Sequence, residues 1–223
     1  MSQRTEALTE LADAVLAVER PHPVRVAIDG CSAAGKTTMA DELAEVLRAR
    51  TEREIIRAGI DYFKRAVELR TVYPVESPES DYYDMWDHDA IRERLLVPLG
   101  PGGDRRYTTA VRELSARAAI DLPVQTARPD AVLLADGAFL QRPELDDHWD
   151  LRIYLHVGFD VVLRRGTERD KAWMASAEAA RQRYLNRYIP GERLYIDQVN
   201  PRSRAQLVIE NEDPANPTIT HHT

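Results

Sequence analysis

The chain has 223 residues, 43% of them hydrophobic, which fits one large domain with a full apolar core. Its formal net charge of −7 leaves no basic field for a nucleic-acid backbone, so we expect no nucleic-acid polymer as a partner. No apolar stretch approaches the length of a membrane span, so we expect no membrane partner either. The single cysteine, Cys31, cannot form an intramolecular disulfide and favours a reducing, cytoplasmic location.

The start of the chain predicts a helix, a strand and a second helix. Residues 5–18 carry apolar side chains at helical spacing, and two prolines end that helix. Residues 24–28 form the continuous apolar run of a buried strand, and residues 38–50 again have helical spacing. Between them, residues 30–37 read Gly-Cys-Ser-Ala-Ala-Gly-Lys-Thr. Strand, glycine loop, lysine, hydroxyl and helix are together typical of a phosphate-binding P-loop.

Residues 30–37 combine the features that bind a polyphosphate. Glycines let the backbone curl so that successive N–H groups point at phosphate oxygens, and the following helix adds its positive dipole end. Lys36 can reach the β- and γ-phosphates, and Thr37 can hold Mg²⁺. The sequence therefore predicts ATP and Mg²⁺ as cofactors. The nucleotide-binding residues predicted are Gly30, Ser32, Ala33, Ala34, Gly35, Lys36, Thr37 and Thr38.

The middle of the chain predicts a second strand followed by a long irregular segment. The strand is predicted over residues 54–59, and Asp61 lies at its carboxyl end. Residues 62–84 are rich in Tyr, Pro, Ser and charge, which predicts a functional loop. A helix is predicted over 87–96, and a hairpin or short strand pair over 105–122.

The rest of the chain predicts strands that alternate with helices. Residues 159–169 and 175–188 have helical spacing, whereas His221 and His222 are terminal and expected to be disordered. Continuous apolar strands alternating with helices indicate a parallel sheet covered on both faces. The chain thus predicts a three-layer α/β fold of the P-loop NTPase type, with a mostly parallel sheet of about five strands and a small lid or hairpin insertion. The later strands are predicted at 131–135, 151–157 and 206–209.

Two acids follow predicted strands, where ligands bind in parallel sheets. Asp61 follows the second strand, and Asp136 follows the third. Phosphoryl transfer needs one carboxylate near the acceptor hydroxyl and one near Mg²⁺, which predicts these roles for Asp61 and Asp136. A helix cap is the alternative for Asp61, and an Asp-Gly turn is the alternative for Asp136.

Charged and aromatic side chains outside the loop give further candidates. Arg165 and Arg169 stand four residues apart on one face of a predicted helix and could clamp a triphosphate. The alternative for this pair is a solvated basic face. His88 and Tyr107 lie between the second and third strands, where they could contact a base or sugar, or else pack as ordinary loop residues.

In chain order, these motifs resemble the P-loop kinases of the uridine kinase and phosphoribulokinase group. Residues 28–38 are similar to that group's P-loop, and residues 60–63 to its acid–aromatic segment after the second strand. Residues 86–90 are similar to the Phe-Asp-His-Pro-x-Ala segment of uridine–cytidine kinases, and residues 135–140 to a segment that helps to bind magnesium. Residues 165–170 are similar to the Arg-x-x-x-Arg-Asp of the group's lid.

The similarity extends over about residues 22–214 and looks most like bacterial uridine kinase-like proteins. It implies an ATP- and Mg²⁺-dependent kinase that transfers the γ-phosphate to a hydroxyl of a small metabolite, first of all the 5′-hydroxyl of uridine or cytidine. It also implies a single kinase domain over 1–223, with an acceptor-binding insertion at about 62–122 and a lid at about 164–190. A homo-oligomer is compatible with the sequence, which does not determine the oligomeric state.

The resemblance also implies roles for individual side chains. Asp61 is the base for the acceptor hydroxyl, and Asp87 holds ribose hydroxyls. The site residues then form three sets: catalytic Lys36, Asp61, Arg165 and Arg169; acceptor-binding Asp61, Tyr62, Asp87, His88 and Tyr107; and the metal ligands Thr37 and Asp136.

Several positions depart from the group's pattern. Asp136 stands where many members carry glutamate, Ala33 and Ala34 replace the commoner Gly-Ser, and Gly166 stands where many uridine kinases have a second lid arginine. The group's nucleoside-binding hairpin motifs are not matched after Tyr107. Kinases of sugars, sugar phosphates or pantothenate on the same scaffold are therefore alternatives, as is a nucleotide-binding regulatory module without an acceptor.

Overall fold

A mainly parallel sheet forms the centre of this computed structural model, which describes residues 2–222. The strands within this range are β1 (Val24–Gly30), β2 (Ile55–Gly59), β3 (Arg106–Tyr107), β4 (Gln125–Thr126), β5 (Val132–Asp136), β6 (Leu151–His156), β7 (Leu207–Glu210) and β8 (Thr218–His221). Six of them make the central sheet in the order β2-β5-β1-β6-β7-β8, and only the β7–β8 pair is antiparallel. The predicted mostly parallel sheet is confirmed, with β8 as an added edge strand.

Helices cover both faces of the sheet, as predicted. They are α1 (Gln3–Leu16), α2 (Lys36–Arg50), α3 (His88–Ile91), α4 (Phe159–Asp170), α5 (Ala177–Arg183), α6 (Ile189–Val199) and α7 (Pro201–Arg204). Side chains alternate along the strands, so Val26 and Ile28 pack with α1 and α2 on one face, whereas Ala27 packs with residues 82–99 on the other. No helix within residues 2–222 is long and apolar enough to cross a membrane.

The prediction of disordered terminal histidines is wrong. His221 is the last residue of β8, where it pairs with Leu207, and its ring contacts Glu10 of α1. The backbone N–H of His222 donates to the carbonyl of Gln206 at 2.8 Å. A four-residue edge strand has too little apolar periodicity to be recognised from sequence, because its pairing partner provides most of its order.

The sequence also missed α6 and α7. Pro190 and Gly191 look like helix breakers, but both lie in the first turn of α6, where proline is tolerated because its missing N–H has no intrahelical partner. The predicted helices over 87–96 and 175–188 form as short α-helices continued by π-helical turns, Arg92–Leu96 and Tyr184–Tyr188.

The segment after β2 is irregular, as the sequence indicates. Short 3-10 turns at Ile60–Phe63 and Val67–Leu69 and a π-helical turn at Ser80–Asp84 are its only regular parts within the described residues. The predicted strand pair over 105–122 forms between β3 and β4, so its second strand lies beyond the predicted range. The division into an insertion at 62–122 and a lid at 164–190 stays a prediction.

Candidate active site

Three neighbouring strands end at one edge of the sheet and bring the predicted phosphate, metal and acceptor groups together. Asp136, the last residue of β5, is in register with Ile28 of β1 on one side and Gly59 of β2 on the other. The P-loop follows β1, and Asp61 follows β2 by two residues. Adjacent strands lie about 4.8 Å apart, so the ends of β1 and β2 are separated by about 10 Å.

The P-loop requires glycine at both of its ends. Gly30 has a φ of +147°, and a Cβ there would lie 2.5 Å from the carbonyl oxygen of Leu155. Gly35 has a φ of +95° and precedes the first residue of α2. Ala33 also has a positive φ, +58°. These turns form the concave row of backbone amides that a phosphate needs, directly before a 15-residue helix.

Lys36 lies across this loop. Its Nζ donates to the carbonyl oxygen of Cys31 at 2.8 Å, which holds the ammonium over the concave side of the turn. Cys31 itself is buried, and burial raises the pKa of its thiol well above the ordinary value. The thiol therefore stays protonated and contributes no charge to the loop.

Thr37 and Asp136 form a pair of oxygen ligands at the mouth of the loop. The Thr37 hydroxyl donates to Asp136 Oδ2 at 2.6 Å. The other carboxylate oxygen, Oδ1, accepts from Arg57 Nη2 at 2.9 Å, and Arg57 also pairs with Asp41 at 2.9 Å. A hydroxyl and a carboxylate are ligands that Mg²⁺ prefers when nucleotide phosphates and waters complete its shell, so these residues fit the predicted ion. Arg57 was not predicted.

Two side chains of α6, also unpredicted, support the P-loop from below. Glu192 is buried and accepts the backbone N–H of Ser32, and Tyr195 is hydrogen-bonded to the buried Asp29 directly before the loop. Gln141 donates to the same Asp29 carboxylate at 3.1 Å. Desolvation raises the pKa of both Asp29 and Glu192. The sequence signal is weak: two polar residues three positions apart on one buried helix face.

Asp61 lies on the 3-10 turn after β2 with its carboxylate exposed. Its side chain is 58% exposed, and Lys64 Nζ is 3.5 Å from Asp61 Oδ1. Among the described residues it accepts no capping hydrogen bond, so the alternative of a helix cap has no support. Tyr62 is 38% exposed, and its ring lies 3.5 Å from the position that a Cβ on Gly59 would take.

The segment with Asp87 and His88 lies beside that turn. The backbone N–H of Asp87 donates to Phe63 O at 3.0 Å, and Lys64 and Trp86 form a β-bridge. Asp87 Oδ1 caps α3 by accepting the Ala90 N–H at 2.9 Å, which leaves the other oxygen for a ligand. Burial, aided by the charge of Arg142, lowers the pKa of His88 to about 4, so its ring is neutral at pH 7.

Tyr107 is not brought together with Asp61. Its ring is buried, its hydroxyl donates to Gln125 at 3.1 Å, and burial with nearby Glu54 raises its pKa to about 12. Glu54 directly precedes β2, whereas Asp61 follows the other end of that strand. A strand of five residues is about 16 Å long, so Tyr107 and Asp61 lie near opposite ends of β2. Tyr107 instead lines a separate 550 Å³ cavity beneath the β3–β4 pair.

Arg165 and Arg169 are held by different partners. Arg165 donates to the carbonyl oxygens of Asn211 and Glu212, at 2.9 and 2.8 Å, on the loop after β7. Arg169 pairs with Asp170 and donates to the Tyr184 hydroxyl at 3.0 Å. The hydrogen bond with Asp170 raises the pKa of Arg169, and the Asp61 carboxylate adds to this effect. The two guanidiniums therefore do not form a joint clamp in this arrangement.

Gly166 explains one departure from the kinase pattern. A Cβ at this position would lie 2.1 Å from Cζ of Tyr184, whose ring is fully buried. The Tyr184 hydroxyl donates to Asp170 at 2.8 Å. The tyrosine thus occupies the space into which any side chain at position 166 would project, and an arginine there is sterically excluded.

Comparison with known proteins establishes the fold. A possible uridine kinase from Bacillus stearothermophilus superposes with a TM-score of 0.71 and 21% identity, covering 92% of this chain and 97% of that one. A candidate kinase of a fructose transport system from Silicibacter sp. TM1040 gives 0.70 and 21%, covering 85% and 94%. A D-glycerate 3-kinase from Cryptococcus neoformans gives 0.55 and 13%, covering 86% and 89%. The sequence matches no protein-family model and no curated protein. The fold that the resemblance implied is confirmed.

Proposed function

We propose that this chain, which has the fold of the uridine kinase-like P-loop kinases, is an ATP- and Mg²⁺-dependent kinase of a small hydroxyl-bearing metabolite. One observation carries the proposal. The ends of β1, β5 and β2 place the P-loop, the Thr37–Asp136 pair and the Asp61 carboxylate side by side at one edge of the sheet. This is the layout that phosphoryl transfer needs, because its catalysis depends on positioning and on neutralising charge.

Each group then has a defined task. The loop amides and Lys36 bind the nucleotide phosphates, and Thr37 and Asp136 are the residues that would hold Mg²⁺. When bound, the ion supplies positive charge against the phosphate oxygens. Asp61 orients the acceptor hydroxyl and accepts its proton, since its carboxylate is exposed and not engaged in a cap.

Arg169 is the better placed of the two predicted lid arginines. Its side chain is 60% exposed, and it lies within electrostatic reach of Asp61. We assign it to charge neutralisation at the transferring phosphoryl group. Arg165, bonded to the loop after β7, acts on the nucleotide only if those carbonyl contacts are exchanged for phosphate.

The acceptor is a small molecule whose identity rests on weaker support. The sequence resemblance favours the 5′-hydroxyl of uridine or cytidine, whereas the similar structures include kinases named for uridine, fructose transport and D-glycerate. The scaffold therefore accommodates several acceptors. Uridine is one candidate, alongside sugars, sugar phosphates and pantothenate.

Acceptor-dependent release of ADP tests the proposal. With ATP and Mg²⁺, at least one acceptor from a panel of these classes should raise ADP release above the rate with water alone. Asp61→Asn should lower kcat about 100-fold or more with that acceptor while the Kd for ATP stays within about 3-fold. Asp89→Asn is the matched control, because Asp89 is 79% exposed and pairs with Arg92.

The outcomes separate two kinds of protein. A near wild-type rate for Asp61→Asn would show that the base assignment is wrong. Tight ATP binding with no response to any acceptor would favour the alternative of a nucleotide-binding regulatory module.

A further inference from the structure

A cleft of 460 Å³ lies between the loop that carries Glu76 and the helical segment of residues 173–187. Its lining is mixed: Met174, Ala175 and Ala179 contribute apolar surface, and the polar groups come from Glu76, Gln182, Arg183, Asn186 and Arg187, with Trp173 also on the lining. Trp173 is 63% exposed, which leaves its ring available to a ligand. The cleft therefore combines two guanidiniums, two amides and one aromatic face.

The two arginines are incompletely satisfied. Arg187 is 2% exposed, with Nη1 at 3.2 Å from Glu76 and Nε at 3.3 Å from Asp81. Arg183 Nη2 lies 3.4 Å from Glu76. The buried Nε of Arg183 makes no hydrogen bond to any of residues 2–222, whereas Arg187 Nε faces Asp81 without the alignment of a hydrogen bond. A buried charged donor without a hydrogen-bond partner is costly, so the retention of Arg183 at this cleft points to a ligand.

Glu76 marks the place and the chemistry of that ligand. Its carboxylate is 66% exposed, belongs to an irregular loop, and contacts both arginines only at 3.2–3.4 Å. The glutamate end of both pairs is open to solvent and its contacts are long, so a better-fitting anion can replace the glutamate. A carboxylate or phosphate matches the forked guanidinium geometry of two neighbouring arginines.

From this arrangement we propose that the phosphate acceptor is an anionic hydroxy compound whose carboxylate or phosphate binds Arg183 and Arg187 in place of Glu76. The inference rests on the proposed kinase function and names its acceptor class. A neutral nucleoside offers no group for these guanidiniums. The alternative acceptors that carry a negative charge, sugar phosphates and pantothenate, do.

Side-chain contacts connect the cleft with the surroundings of Asp61. One wall carries Arg187, on the helical segment that continues into α6. On the other wall, Trp173 donates to Asp170 at 3.2 Å, and Asp170 holds Arg169 near Asp61. An acceptor anchored at the arginines can thus present its hydroxyl to Asp61.

The surrounding charges leave the cleft positive once Glu76 is displaced. Burial raises the pKa of Asp81 to about 7, so this carboxyl is only partly ionised beside Arg187 at neutral pH. Asp84, the next buried acid, is paired with Arg65 at 2.7 Å. Arg70 is 7% exposed, and its pKa is lowered first by burial and then by the charge of Arg187. An anionic ligand would relieve this excess of positive charge.

Matched acceptor pairs test the proposal: glycerate with glycerol, pantothenate with pantothenol, and ribose 5-phosphate with ribose, with uridine as a neutral nucleoside. ADP release is measured at saturating ATP and Mg²⁺. We expect the charged member of at least one pair to have a kcat/KM about 10- to 100-fold above its neutral partner, as a charged hydrogen bond provides. The carboxylate pairs and the phosphate pair distinguish the two sources of charge.

Two substitutions should then act in opposite directions. Arg183→Gln should raise the KM for the charged acceptor about 10-fold, with kcat and the Kd for ATP little changed, whereas Arg181→Gln on the exposed face of α5 should leave all three unchanged. Glu76→Gln should lower that KM, because it removes the competing carboxylate. Glu79→Gln, an exposed neighbour on the same loop, is its control.

The outcomes are distinguishable. Equal or better turnover of the neutral members, or a higher KM in Glu76→Gln, overturns the anionic acceptor and leaves the kinase function standing. If neither charged nor neutral compounds raise ADP release, the proposed function fails and this inference fails with it.

Discussion

On the proposed phosphate side of the site, residues 30–37 join a buried seven-residue strand to a 15-residue helix, and the proposed binding groups are backbone amides. On the proposed acceptor side, residues 62–84 form short turns and residues 173–188 contain α5, and the proposed binding groups are side chains held by ion pairs such as Arg187 with Glu76 and Asp81. Backbone amides are the same in every sequence, whereas guanidiniums and carboxylates change with a single substitution. Under the proposed function, the phosphate side would therefore constrain the cofactor, and the acceptor side could change substrate without changing the fold.

The largest effect should come from the phosphate side. Lys36→Ala removes the ammonium that lies over the P-loop, so acceptor-dependent ADP release should fall about 1,000-fold or more. The midpoint of thermal unfolding without nucleotide should change little. Arg48→Ala, which removes an exposed cation from the same helix, is the control. A Lys36→Ala rate within about 10-fold of wild type would show that the Lys36 ammonium is not needed for phosphoryl transfer.

On the acceptor side, the largest expected effect is steric. Gly166→Ala puts a methyl group 2.1 Å from Cζ of the buried Tyr184 ring, and overpacking of this kind should lower the free energy of unfolding by about 3 kcal/mol. Urea unfolding measures the change. Gly59→Ala is the matched control, because its nearest contact would be an ordinary 3.5 Å to Tyr62. Equal stability of the two variants would show that α4 tolerates a side chain at position 166.

We expect Asp81 to make the stability of the fold depend on pH. Its pKa is about 7 in the folded chain and about 3.9 when unfolded, so the folded state binds the extra proton. Its contribution to stability is complete below pH about 4 and is lost as pH rises through about 7, with a slope of at most about 1.4 kcal/mol per pH unit. Asp81→Asn should remove this slope.

Urea unfolding at several pH values between 4 and 8 measures that difference. Asp89→Asn, at an exposed position, should leave the slope unchanged. If the stability of wild type relative to Asp81→Asn rises with pH over this range, the carboxyl is ionised in the folded state and the assignment is wrong.

The smallest effect concerns the loop itself. Ala33 has a φ of +58°, a conformation that costs a residue with a Cβ about 1 kcal/mol of strain. Glycine avoids this strain but loses slightly less than about 1 kcal/mol through its greater loss of backbone entropy on folding. Ala33→Gly should therefore change the unfolding free energy by less than about 1 kcal/mol and preserve ATP binding. Ala34→Gly, at a buried position without positive φ, should destabilise by about 1 kcal/mol. An equal loss of unfolding free energy in both variants would show that the positive φ does not strain Ala33.

The site contains groups that follow from local sequence patterns and groups brought together from distant parts of the chain, and only the first kind could be predicted from the sequence. The P-loop, Asp61 and Asp136 follow from local patterns, because each stands at the end of an apolar strand and parallel strands align those ends. Glu192 contacts Ser32 across 160 residues of sequence, and Arg57 reaches Asp136 across 79. No local pattern specifies such pairs. Tyr107 looked like an acceptor ligand because it precedes the third strand, but the β3–β4 pair carries it to the opposite end of β2.

The hydrogen bonds from α6 to the P-loop have a thermodynamic consequence. Glu192 and Tyr195 fasten to Ser32 and Asp29 the same continuous helix that carries Arg187 one and a half turns earlier. Binding linkage is reciprocal. If a bound triphosphate changes the affinity for the second substrate through this helix, the second substrate changes the affinity for the triphosphate by the same factor. The dissociation constant of each ligand, measured with and without the other, therefore reports how strongly this one helix couples the two proposed binding sites.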